Sequence, residues 1–141
     1  MNEDILALLC TIVKLGRLAE SKEDRLLDTV GLSVTKMLAL EQLSRADEPL
    51  LSSDLAARLQ FVKSNATQLV DNLEAAQLVR RVPHLTDRRC KLLELTDEGK
   101  RQHAAAVESV QPLVEQVETL YTPEERATLA ELLQRLNNAL A

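Results

Sequence analysis

Apolar residues recur along this chain at helical spacing almost from end to end, and only one short stretch changes to a period of two. Over residues 2–20, Ile5, Leu8, Leu9, Ile12, Val13 and Leu15 cover more than the width of an ordinary apolar stripe. A helix of that kind is expected to need cover on more than one side. A short helix or turn follows at Asp24–Val30, interrupted by Gly31. Ser33 is positioned to cap a helix over Val34–Arg45, with Val34, Met37, Leu38 and Leu43 inward. Pro49 stops it, and Leu50–Leu51 is expected to form a minimal strand. Ser52 and Ser53 then offer a cap for a helix over Asp54–Leu59 that buries Leu55, Ala56 and Leu59.

The stretch Leu51–Lys100 organises the rest. A turn at Gln60–Lys63 carries Phe61 as a core plug, and Ser64 is expected to cap the next helix. On that helix Ala66, Leu69, Val70 and Leu73 share one face, while Asn65, Gln68, Asp71, Asn72 and Ala75 share the other. Leu78–Val82 and Cys90–Leu95 read as strands joined by a turn at Pro83–Asp87, with Leu93 and Leu95 alternating with Glu94. Helix, turn, helix and two-stranded ribbon form the outline of a winged helix-turn-helix, so the expected fold is mainly α with a small β-ribbon wing.

Thr96 is expected to cap the following helix, with Asp97 and Glu98 stabilising its N-terminal end. That helix should bury Ala104, Val107, Val110, Val114 and Val117 and kink at Pro112. Thr122-Pro123-Glu124-Glu125 is a capping box with proline at the first helical position, and it opens a last helix bearing Leu129, Leu132, Leu133, Leu136 and Leu140. The terminal helices hold more apolar surface than one small domain can cover. A single domain over 1–141 is therefore expected. Residues 1–31 and 101–141 would form the dimerisation helices, and 32–100 the DNA-binding lobe.

Composition agrees with a helical core: Leu and Ala dominate the 45% hydrophobic content, and only Phe61 and Tyr121 are aromatic. The net charge of −5 argues at first against a nucleic-acid partner, but its distribution reverses the argument. Between Arg58 and Lys91 seven basic residues meet three acidic ones, a local balance of +4 on an otherwise acidic body. No stretch reaches the length of a membrane span, and the N-terminus lacks the features of a signal peptide. Two cysteines, Cys10 and Cys90, suggest no disulfide framework, so a cytoplasmic protein is expected.

In a helix-turn-helix the first turns of the second helix enter the major groove, where Asn and Gln can make two bonds to adenine. A basic wing can lay arginine into the minor groove alongside. An ordinary solvated face is the plain alternative. Cys90, flanked by Arg89 and Lys91, should have a lowered thiol pKa, whereas Cys10 reads first as a buried small apolar residue, the commoner fate of a free cysteine. His84 and His103 stand alone, without a metal-ligand spacing, and no nucleophile motif or glycine-rich phosphate loop is present. No enzyme, metal or cofactor is expected.

The run Asp87-Arg88-Arg89-Cys90-Lys91-Leu92-Leu93-Glu94-Leu95-Thr96-Asp97-Glu98-Gly99 resembles the wing-and-helix signature of the MarR family of transcriptional regulators. Leu69-Val70-Asp71-Asn72-Leu73-Glu74 and Leu78-Val79-Arg80-Arg81 are similar to that family's recognition helix and first wing strand, and Gly31-Leu32-Ser33 to the opening of the helix before them. The likeness is sharp over Gly31–Lys100 and architectural elsewhere. It implies a homodimer on a near-palindromic double-stranded operator, a repressor often released by a small-molecule effector or by oxidation. It further implies that Ser64, Asn65, Thr67 and Gln68 face the major groove, that Arg89 reaches the minor groove, and that Asp87 orients the wing's arginines. Lys63, Arg81, Arg88 and Lys91 complete the expected DNA contacts. One departure stands out: the family often has Arg or Lys where this chain has Asn72, and no basic residue lies between Lys63 and Arg80. Affinity should then lean on Lys63, Arg58 and the wing. Two alternatives differ in kind. One is a thiol-based oxidant sensor using Cys10 or Cys90, and the other is a winged-helix protein-binding adaptor.

Overall fold

In the computed structural model residues 3–61 and 63–141 are described, the side chain of Lys63 excepted. The first helix, α1 (Glu3–Leu27), runs well past residue 20. Nothing between Glu20 and Leu27 stops a helix, and extending it drives Leu27 into full burial. A 3-10 turn over Asp28–Val30 follows, closed by Gly31 at a φ of 72°, a left-handed conformation that suits glycine.

Helix α2 (Val34–Arg45) matches its expected bounds. Ser33 Oγ accepts the Lys36 N–H at 3.3 Å, and Asp24 Oδ1, from α1, accepts the Val34 N–H at 2.9 Å. Two of the free donors at that helix end are thereby satisfied. Its buried stripe contains Val34, Ala39, Leu40 and Leu43, and Leu38 is exposed, contrary to expectation. Leu38 lies roughly 200° around the helix from Leu40, so the two cannot share a buried face.

Strand β1 (Leu50–Leu51) passes directly into α3 (Ser52–Leu59). Leu51 occupies the cap position and no side chain caps the helix, so Ser52 and Ser53 are first-turn residues and not caps. Gln60 ends α3 in a left-handed conformation with φ 56°, and half-buried Phe61 packs against the core as expected. Helix α4 (Lys63–Ala75) begins one residue before Ser64, which places Ser64 inside the first turn; it is not the cap. Ala66, Leu69, Val70 and Leu73 are all buried.

Strands β2 (Val79–Pro83) and β3 (Lys91–Leu95) each start one residue later than the pattern suggested. They form an antiparallel sheet in the order β1-β3-β2, with Arg81 opposite Leu93 and Pro83 opposite Lys91. Thr96 then knots the sheet to α5 (Asp97–Ser109): its N–H donates to Leu78 O at 3.1 Å, its hydroxyl donates to Gln77 O at 2.6 Å, and its Oγ1 accepts the Gly99 N–H at 2.9 Å. At Gly99 a Cβ would stand 2.0 Å from Leu78 O, so only glycine permits this approach.

The expected kink at Pro112 is a full break. Helix α5 ends at Ser109, Val110 leaves helical geometry, and α6 (Gln111–Leu120) restarts with proline in its first turn, where the missing N–H costs nothing. Helix α7 (Pro123–Leu140) opens on the expected capping box of Thr122 and Glu125. The core lies inside the lobe made by α2–α5 and the sheet, centred on Leu27, Leu40, Leu55, Val70, Leu73 and Leu93. Of the residues expected inward along α5 and α6 only Val110 is buried, joined by Ala106, while Ala104, Val107, Val114 and Val117 are exposed. Among the described residues, α1 approaches that face across an open groove lined by Leu15, Leu18, Val114 and Val117.

Candidate nucleic-acid interface

The buried stripe of α4 fixes which residues it turns outward. With Ala66, Leu69, Val70 and Leu73 held in the core, Ser64, Asn65, Thr67 and Gln68 are exposed along its first two turns. Gln68 Nε2 lies 3.5 Å from Asn72 Oδ1, a weak contact that water can replace. An open groove of about 370 Å³ separates this face from the start of α2 and is lined by Thr35, Lys36, Phe61, Asn65, Gln68 and Asn72, among others. Sequence reading missed Thr35 and Lys36. They are distant from α4 along the chain, and only the packing of α2 brings them beside it. The Lys63 side chain, expected at this face, lies outside the described residues. Arg58 is exposed on α3.

At the ribbon the expected arginines divide into two kinds. Arg89 is presented outward, its side chain 92% exposed. Asp87 Oδ1 accepts both its backbone N–H, at 3.0 Å, and its Nε–H, at 3.3 Å, which restricts the guanidinium to one side of the turn. The Arg89 backbone N–H, and after it the guanidinium, hold the Asp87 carboxyl below the usual aspartate range. Arg88 and Lys91 are also exposed.

Arg81 behaves differently. Its Nη2 donates to Asp71 Oδ1 at 2.7 Å and its Nη1 to Glu74 Oε1 at 3.1 Å, so both hydrogen-bonded partners lie on α4. The side chain clamps the base of the ribbon to the helix, and its charge is answered within the protein. The sequence read it as a DNA contact because it sits in a basic run, and the acidic partners on α4 were legible only as surface charge. Arg80 pairs across the strands with Glu94.

The chemistry expected of Cys90 is overturned. Its Sγ donates to Asp87 Oδ2 at 3.5 Å, and that hydrogen bond, followed by burial and the carboxylate's charge, pushes the thiol pKa up. Sequence neighbours Arg89 and Lys91 suggested the opposite, but the bond between thiol and carboxylate decides it. Cys10 is exposed on α1 and does not behave as a buried apolar residue within the chain.

Between lobe and terminal helices, His103 Nε2 of α5 lies 2.6 Å from Glu41 Oε2 of α2, and Arg45 also bonds Glu41. Burial would raise the Glu41 carboxyl, but the bonds from His103 and Arg45 outweigh it and hold the pKa below the ordinary value. Among the described residues no three His, Cys, Asp or Glu side chains are arranged to hold a metal ion, and no helix is long and apolar enough to cross a membrane.

A helix-turn-helix with a polar outer face, followed by a clamped ribbon with outward arginines, defines the winged helix-turn-helix class. The family model described as "MarR family" matches residues 30–89. The transcriptional regulator BldR from Sulfolobus solfataricus is 31% identical and superposes with a TM-score of 0.79, covering 98% of this chain and 95% of BldR. CouR from Rhodococcus jostii RHA1, solved bound to p-coumaroyl-CoA, is 25% identical with a TM-score of 0.81, covering 89% of this chain and 88% of CouR. The HTH-type transcriptional regulator PapX of Escherichia coli is 30% identical over 99 residues, 70% of this chain. The match spans only 59% of PapX's own length. This chain belongs to the MarR family, whose members matched here are named as transcription regulators and not as enzymes.

Proposed function

We propose that this chain is a sequence-specific regulator of transcription that binds double-stranded DNA as a homodimer on a pseudo-palindromic operator. The observation that carries the reading is the outward Arg89, held by Asp87 on a ribbon clamped beside the polar face of α4. In this reading Lys63, Ser64, Asn65, Thr67 and Gln68 read the major groove, and Arg89 enters the minor groove with Arg88 and Lys91 near the phosphates. Arg81 acts as the clamp and does not contact DNA.

Residues 1–31 and 101–141 form the dimerisation region, and 32–100 the DNA-binding lobe. The apolar surface left open on α1, α6 and α7 supports this division, because an isologous dimer would cover it and present two wings to two half-sites. Repression by occlusion is the simplest mode, since it needs no contact with polymerase. Release by a small-molecule effector, in a cleft between the dimerisation helices and the lobe, is supported by CouR's having been solved with a bound acyl-CoA.

The test is a fluorescence-anisotropy titration of duplexes from DNA flanking the chain's own coding region, against a scrambled duplex, at several salt concentrations. Tight binding to one duplex that weakens steeply with salt is the expected result. Arg89→Ala should cost roughly tenfold or more in affinity, equivalent to about 1.4 kcal/mol. Equal, weak binding to both duplexes, unmoved by that substitution, would turn the reading toward a protein-binding adaptor.

A further inference from the structure

The tip of the ribbon has no apolar anchor. Leu85, its only large hydrophobic residue, is 97% exposed, so the turn gains nothing from burial. Its shape rests on polar contacts, and three of these meet at one atom. His84 Nδ1 receives the backbone N–H of Thr86 at 3.2 Å and that of Asp87 at 3.1 Å, and the Thr86 hydroxyl lies 3.2 Å from the same nitrogen. His84 itself is anchored to the returning strand by its own N–H, which donates to Cys90 O at 3.3 Å.

A ring nitrogen that accepts backbone N–H groups must carry a lone pair, so this geometry requires the neutral imidazole with its proton on Nε2. We propose that His84 is a positioning residue for DNA binding: its neutral ring folds the turn that sets Asp87, and Asp87 sets Arg89. Protonation at Nδ1 replaces the acceptor with a donor facing two other donors, and the turn must open. Protonation of the ring is therefore the change that would unlock the wing tip. The other charged and titratable groups of the surrounding hairpin are Arg80, Arg81, Asp87, Arg88, Arg89, Cys90, Lys91 and Glu94. At its base α4 turns Asp71 and Glu74 toward Arg81. Asp87 meets the ring through its backbone N–H, and its carboxylate is directed instead to Arg89 and Cys90.

The inference rests on the DNA-binding reading for its consequence but not for the lock itself, and two experiments separate them. In the first, the amide signals of Thr86 and Asp87 are followed by NMR in the free full-length protein from pH 8 to pH 5, alongside the His84 ring protons. Both amides should shift with the same midpoint as the ring in the wild type. They should stay still in His84→Asn, whose side-chain oxygen can accept the same bonds and does not titrate. Amides that ignore the ring's titration would overturn the lock. In the second, duplex affinity is measured at pH 8. His84→Ala should bind about three- to tenfold more weakly, the range expected for losing one or two hydrogen bonds, and His84→Asn should recover most of that loss. In an Arg89→Ala background, His84→Ala should add little, because the ring acts through Arg89. An undiminished loss in that background would overturn the positioning role. If no variant binds any duplex, the DNA-binding reading fails and the NMR result alone decides the lock.

Discussion

Asp87 uses its two carboxylate oxygens for different neighbours. Oδ1 accepts from Arg89 and Oδ2 from the Cys90 thiol, so one side chain both aims the wing's cation and keeps its cysteine protonated. The family resemblance implied the first task, with Asp87 orienting the wing's arginines. The sequence misled on the second, because adjacency to Arg89 and Lys91 says nothing about which group the sulfur touches. The prediction at this scale concerns thiol reactivity. In a Cys10→Ser background, Asp87→Ala should speed alkylation of Cys90 at pH 8 by roughly two- to fivefold, as the thiolate fraction rises. Mass spectrometry against time reads the rate. An unchanged rate would mean that Asp87 does not hold the thiol.

At the scale of elements, the joints matter more than the elements. Most helix bounds were readable from periodicity and caps: Ser33, Thr96 and Thr122 each cap the helix they were expected to cap. Ser52, Ser53 and Ser64 do not, because the strand before α3 and the turn before α4 carry the chain into helix one or two residues earlier. The joint between β2 and α5 depends on Gly99, where the start of the helix meets the backbone at Leu78. Gly99→Ala puts a methyl group inside that carbonyl's contact distance, and either the helix or the strand must move. We expect a loss of about 2–4 kcal/mol in urea unfolding, well beyond the few tenths typical of a surface glycine change. A loss below about 1 kcal/mol would mean that the joint gives way freely.

For the whole molecule the distribution of buried surface is the governing fact. The lobe has a closed core, yet Leu15 and Leu18 of α1, Val114 and Val117 of α6, and Leu132 and Leu133 of α7 remain exposed in the single chain. An open, apolar groove of about 620 Å³ runs between α1 and α6. Patches of that kind mark interaction surfaces on soluble proteins. Val117→Glu should therefore convert a dimer into monomers near 15.7 kDa in sedimentation equilibrium while the lobe stays folded by circular dichroism. A wild-type protein already monomeric at micromolar concentration would remove the basis for a two-winged operator complex.

Local pattern was sufficient for the inward face of α4, the caps at Ser33, Thr96 and Thr122, and the basic ribbon, because each depends on neighbours within about four residues along the chain. Position in space was not available to it. The packing of α2 and α4 on α3 brings Lys36 across a groove from the recognition face, and the approach of β2 to α4 turns Arg81 into a clamp. The fold of the ribbon sets His84 under its own turn and Asp87 against Cys90. The same limit explains the valines of α5 and α6. Periodicity established that Val107, Val114 and Val117 form an apolar stripe, but whether a stripe is covered depends on what packs across it, and in the single chain these three remain exposed.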